Sequence, residues 1–183
     1  MTKPDKTAQG GDTTQPAARP AIDPRVFRRT MGCFATGITI ITSVTETGEV
    51  HGMTANGFLS VSLNPPLVLI SLGECRMATL LRKTGRYGVS MLADQQRDYS
   101  HHFAGQRKLI MHPEFQWHDG IPFIDEAVAH VGATVVDIHQ AGDHTLFIGE
   151  VTHLSTREGR PLIFHGGDYE LLRNKEPQDI FFV

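Results

Sequence analysis

Apolar residues in this chain mostly alternate with polar ones in short runs, and Gly, Pro, Asn or Asp breaks each run. Period-two alternation of this kind predicts strands, and the breakers predict turns. Asp23-Pro24 reads as an N-cap with proline at the first helical position, and Phe27, Thr30, Met31 and Phe34 recur at helical spacing, so a helix is predicted over 24–35. The β-branched run Gly37–Val44 predicts a strand, Thr47-Gly48 a turn, and Val50–Phe58 the returning strand. Leu67–Leu72 is almost wholly apolar after Pro65-Pro66 and predicts a strand buried on both faces. Met77, Leu80, Leu81 and Thr84 share one helix face that ends at Gly85. Tyr87–Leu92 predicts a further strand, and Asp94 the cap of a helix reaching Phe103. Residues 104–122 show no period and predict a long loop. Ala127–His139 and His144–Ser155 predict a hairpin turning on residues 140–143, and Pro161–His165 a last strand. Six or seven strands with about three helices, connected mostly as hairpins, predict a mainly β fold: a closed or partly closed antiparallel barrel.

Residues 1–22 carry almost no large apolar side chain and are expected to form a disordered tail; residues 23–183 are expected to form one domain. The 183 residues are 40% hydrophobic and 20% charged, as in an ordinary globular domain. A net charge of −3 argues against a nucleic-acid partner. No run approaches the ~20 apolar residues that span a bilayer, and Met1–Arg19 holds no apolar signal core. Two cysteines, Cys33 and Cys75, make no disulfide framework. A cytoplasmic protein without membrane contact is the expectation.

The most informative stretch runs from Gly52 to Ser71. Small and hydroxyl residues around Gly52 and Gly57 let the backbone approach a flat ligand and hydrogen-bond its rim. Other chemistries lack their patterns. The ten histidines include no HxxxH pair, and no CxxC occurs, so no metal site is expected. Ser60, Ser62 and Ser71 have no GxSxG elbow, and there is no GxGxxG fingerprint. Arg76 stands where a strand passes into a helix start, a place suited to phosphate. Gly142-Asp143-His144 puts a turn aspartate before a histidine at the head of a strand, where it would orient a substrate or simply face water.

An ordered set of segments carries a resemblance over residues 23–172. It comprises Phe34–Ile40, Gly52–Phe58, Ser60–Leu69, Thr84–Tyr87, Phe103-Ala104, Gly142–His144, Gly149–Val151, Pro161–Ile163 and Gly167–Tyr169. The chain resembles the short-chain flavin reductases, the reductase partners of two-component flavin-dependent monooxygenases. The resemblance implies a split β-barrel of the FMN-binding type, assembled as a homodimer. It implies hydride transfer from NADH or NADPH to FMN or FAD, with the reduced flavin passing to a partner monooxygenase. It places Thr36, Gly37, Met53, Thr54, Ala55 and Asn56 along the flavin ring. Ser60 and the segment holding Ser71, Cys75, Arg76 and Met77 go toward the ribityl phosphate. His144 goes to the nicotinamide side as an orienting residue, and Tyr169 closes the site. The chain departs from the family pattern at Cys75-Arg76-Met77, where relatives often carry Ser-x-Thr, and at His102, where arginine is common. Those departures keep a second reading open, a non-catalytic flavin-binding split barrel for electron transfer or redox sensing.

Overall fold

Asp23 opens α1 (Pro24–Gly32) as the Asp-Pro pair predicts: its carboxylate accepts the Arg25 backbone N–H at 2.7 Å. The structure, a computed structural model, describes residues 21–106 and 111–172. The tail expected over residues 1–22 therefore falls outside the described residues, apart from positions 21 and 22. No side chain of α1 is buried, and Val26, Phe27 and Met31 stay about half exposed.

The strands are β1 (Thr36–Gly37), β2 (Thr39–Val44), β3 (Val50–Ala55), β4 (Phe58–Leu63), β5 (Pro66–Gly73), β6 (Arg86–Met91), β7 (Phe115–His118), β8 (Ile121–Ile124), β9 (Ala129–Ala141), β10 (His144–Thr156), β11 (Ile163–His165) and β12 (Asp168–Glu170). Two more helices, α2 (Arg76–Thr84) and α3 (Arg97–Phe103), complete the fold. Seven strands form one antiparallel sheet in the order β3-β2-β6-β9-β10-β5-β4. Its two edges, β3 and β4, are consecutive in the chain and joined only through Asn56-Gly57. The sheet must curl to bring them together: Cys75 Sγ, beyond the end of β5, lies 3.8 Å from Met53 Sδ of β3. The edges do not hydrogen-bond to each other, so the molecule is a split β-barrel.

Inward-facing residues of the curled sheet, among them Ile41, Ile70, Leu72, Tyr87, Val89 and Phe147, pack against Met77, Leu80 and Leu81 of α2. The apolar face predicted for α2 is thus the face it buries. The helix ends at Gly85 with φ 63°, whose N–H donates to Leu81 C=O. A second cluster, Ile38, Ile40, Leu92, Ile124 and Leu162, supports β11, β12 and α3.

Three expectations need correction. The loop expected over 104–122 contains β7 and the start of β8, a two-stranded hairpin. Strand β8 is buried at every position, so it carries no alternation to read. The strand expected over 50–58 breaks at Asn56-Gly57, beyond which β4 begins as a separate strand. The helix expected from Asp94 is a 3-10 turn over Asp94–Gln96 followed by α3. Asp94 caps neither and instead pairs with Arg160 at 2.8 Å.

Candidate active site

The sheet edge at Thr54-Ala55-Asn56 stands between two adjoining cavities. One, of about 380 Å³, is walled by Thr54, Ala55 and Asn56 on one side and by Ser100, His101, Phe164 and Tyr169 on the other. The second, of about 350 Å³, is mainly apolar and is lined by Phe34, Thr36, Gly37, Phe58, Met91 and Pro161. Ile38 and Asn56 line both, so the two are halves of one cleft. Each half has the volume expected of a small-molecule site.

Side-chain bonds fix the walls. Thr39 Oγ1 donates to Ala55 C=O at 2.7 Å, and Thr54 Oγ1 donates to Ser100 C=O at 2.7 Å. Both hydroxyls are thereby committed to the scaffold, which leaves the backbone of residues 54–56 to meet a ligand. Gly37 lines the cleft without a side chain of its own. Thr36 differs: its Oγ1 is buried and has no partner among the described residues. An unpaired buried hydroxyl costs stability unless a ligand or water pairs with it. Tyr169 lies across the cleft from Thr54, its hydroxyl 2.8 Å from Ser100 Oγ.

The residues expected at the phosphate end form a separate group. Cys75 and Glu74 line a polar cavity of about 480 Å³ together with Arg82, Gln140 and Asp143. Cys75 is the N-cap position of α2 but makes no capping bond through its side chain. Arg76, the first residue of α2, is exposed, and its charge joins with burial to lower the His51 pKa. The Met77 side chain is fully buried in the core, so only its backbone could face a phosphate. Ser71 lies between the two groups, against Gly57. Ser60 lies apart, exposed on β4, and lines none of these cavities.

His144 heads β10 opposite Gly73, and a Cβ at that glycine would stand 3.7 Å from the His144 ring. Its Nδ1 is 2.8 Å from Asp143 Oδ1. A carboxylate only accepts, so Nδ1–H donates and Nε2 is left as the acceptor of the neutral ring. The same bond holds the Asp143 carboxyl below its ordinary range. His144 lines neither half of the main cleft.

Sequence reasoning missed Ser100, Arg97 and His101. Their only signal was the period of a short helix, which does not show what the helix faces.

A split barrel with a two-part cleft of backbone, glycine and hydroxyl groups defines a flavin-binding class of protein. The residues present suit a flavin: a flat apolar-walled space, exposed backbone at its edge and an unpaired buried hydroxyl at Thr36. The chain belongs to the flavin reductase like domain family, whose family model matches residues 31–173. An NADH-dependent flavin reductase from a Rhodococcus species is 44% identical over 164 residues, 86% of this chain and 93% of its own length. Two solved structures agree. Flavin reductase PheA2 in its native state superposes with a TM-score of 0.81 at 47% identity, over 84% of this chain and 100% of its own. The styrene monooxygenase flavin reductase of Pseudomonas putida S12 superposes with a TM-score of 0.78 at 39% identity, over 82% of this chain and 99% of its own.

Proposed function

We propose that this protein is a flavin reductase that takes its hydride from NADH, or alternatively NADPH, and supplies reduced FMN or FAD to a flavin-dependent monooxygenase. The observation that carries this reading is the two-part cleft around Thr54–Asn56 with the unpaired Thr36 hydroxyl on its wall. Bound flavin supplies the acceptor for the nicotinamide hydride. The chain's own part is to bind, orient and exclude water. The backbone of residues 54–56 and the Thr36 hydroxyl hydrogen-bond the flavin edge, and Gly37 lets the ring approach. The backbone N–H groups at the start of α2, with Arg76, receive the phosphate where relatives use hydroxyls. His144, held by Asp143, orients the nicotinamide through its free Nε2. No side chain need give up or take a proton in a hydride transfer, so His144 acts by placement.

The working form in this proposal is a cytoplasmic homodimer, in keeping with free cysteines at Cys33 and Cys75. Leu59, Leu69 and Ile148 lie opposite one another across β4, β5 and β10, and β4 carries no charged residue. This half-exposed apolar row, bordered by Asp137 opposite Ile148 and Glu150 opposite Leu67, suits a second copy related by a two-fold axis.

The test is NADH oxidation by the purified protein with added FMN or FAD. Flavin-stimulated oxidation is expected. Its absence with both flavins and both nicotinamides would sink the proposal, and tight flavin binding with only slow reduction would favour the non-catalytic reading.

A further inference from the structure

Three residues on one face of α3 grip a single tyrosine. Arg97, Ser100 and His101 stand at i, i+3 and i+4, the spacing that lines up side chains along one helix face. The Arg97 guanidinium lies over the Tyr169 ring, 4.7 Å from its centroid. The His101 ring meets it edge-on at 5.1 Å, and Ser100 Oγ and Tyr169 Oη share a hydrogen bond of 2.8 Å. Arg97 is itself held, with Nε donating to His101 Nε2 at 3.3 Å and the guanidinium 3.5 Å from the Asp168 carboxylate. On its other side α3 is pinned to β3. The Phe103 ring covers Gly52, where an added Cβ would come within 2.5 Å of it, and Ser100 C=O accepts the Thr54 hydroxyl.

Ser100 therefore bonds to both walls of the cleft, through its hydroxyl to Tyr169 and through its carbonyl to Thr54. Ser100 itself is fully buried, while Thr54 and Tyr169 are half-buried. We propose that Ser100 is a positioning residue: it holds the β11–β12 hairpin closed over the cleft in register with the Thr54–Asn56 edge. It sets flavin affinity without touching the reacting atoms. This rests on the reading of the cleft as the flavin site.

Ser100→Ala removes the bond to Tyr169 and leaves the bond to Thr54, because the carbonyl remains. Flavin dissociation constants from fluorescence quenching and steady-state KM and kcat are measured for wild type, Ser100→Ala, Tyr169→Phe and the double variant. The expected result is a KM and Kd for flavin raised about three- to tenfold in each single variant, the span one net hydrogen bond supplies. The kcat at saturating flavin stays within about twofold. The double variant is no worse than either single one, because both delete the same bond. Unchanged flavin affinity in Ser100→Ala overturns the proposal, as do effects that multiply in the double variant or a loss that follows the melting temperature alone. If Ser100→Ala does not fold, Tyr169→Phe deletes the same bond from the other side and decides alone. Wild-type protein that binds no flavin overturns the flavin-site reading itself, whereas wild-type binding with an unaltered Ser100→Ala affinity overturns only the role of Ser100.

Discussion

Tyr87 shows what a single residue can hide from a sequence reading. Its place on a strand was legible in the alternation of Tyr87–Leu92, but the destination of its hydroxyl was not. The side chain is fully buried, its Oη has no partner among the described residues, and burial pushes the phenol pKa well above its usual range. The hydroxyl rests on Gly149, where β10 shifts register against β9. A Cβ at Gly149 would press on Tyr87 Oη and come within 2.9 Å of Ala133 Cβ. Gly149→Ala is expected to cost about 1–3 kcal/mol through overpacking. Tyr87→Phe, which removes an unpaired buried hydroxyl, is expected to raise stability by about 1 kcal/mol and to offset part of the Gly149→Ala loss. Urea unfolding of the two single variants and the double variant checks both statements; additive losses would refute the coupling. Thr54 follows the same pattern. Its type and place pointed to a ligand edge, but its partner, Ser100, lies 46 residues on and is reached only through the fold.

At the scale of elements, the β7–β8 hairpin is the largest departure from expectation. Side chains elsewhere in the barrel hold it. Thr42 Oγ1 donates to Pro122 C=O, Ser90 Oγ accepts the Ile124 N–H at 2.9 Å, and His130 Nε2 is 2.8 Å from Ile124 C=O. Thr42 and Ser90 lie 80 and 34 residues from their partners, and only His130 is near in sequence, so no local pattern announces the hairpin. Its outer end rests on β10 through two stacked histidine rings, His118 and His153, 3.7 Å apart, with Phe123 beside His153. Burial lowers the His153 pKa from 6.5, and His118 and His130 add to the effect while Asp119 opposes it. A histidine with a depressed native pKa is protonated more readily in the unfolded chain. Its stability contribution is therefore complete above the ordinary value and is lost as pH falls through 6.5 toward the native value. His51 acts in the same sense, through burial and Arg76. The melting temperature is expected to fall between about pH 7.5 and 5.5, and His153→Phe to flatten that slope in part. A slope unchanged by the substitution would show that the stack plays no part in it.

For the whole molecule, the decisive surface is the apolar row Leu59–Leu69–Ile148. If it seats a second copy, Leu59→Lys puts a charge into the interface from each chain, and burying unpaired charge is costly. Sedimentation is expected to show wild-type dimer and Leu59→Lys monomer at micromolar concentration; monomeric wild type would remove the dimer from the proposal. The fold class was legible because alternation and turn chemistry are local: period two, Thr47-Gly48, Pro65-Pro66 and the 140–143 turn specify hairpins without reference to distant residues. The cleft edge at Thr54–Asn56 was legible for a similar reason, since its small residues stand in one run. Curling is a long-range event, and only the tertiary structure decided what it brings together. It joined β3 to the end of β5 through Met53 and Cys75, buried the Met77 side chain, left Ser60 on an exposed strand and set α3 against Tyr169. Side-chain type and spacing carry the local preferences of the backbone, whereas the partners of Ser100, Tyr87 and His153 depend on how the whole sheet closes.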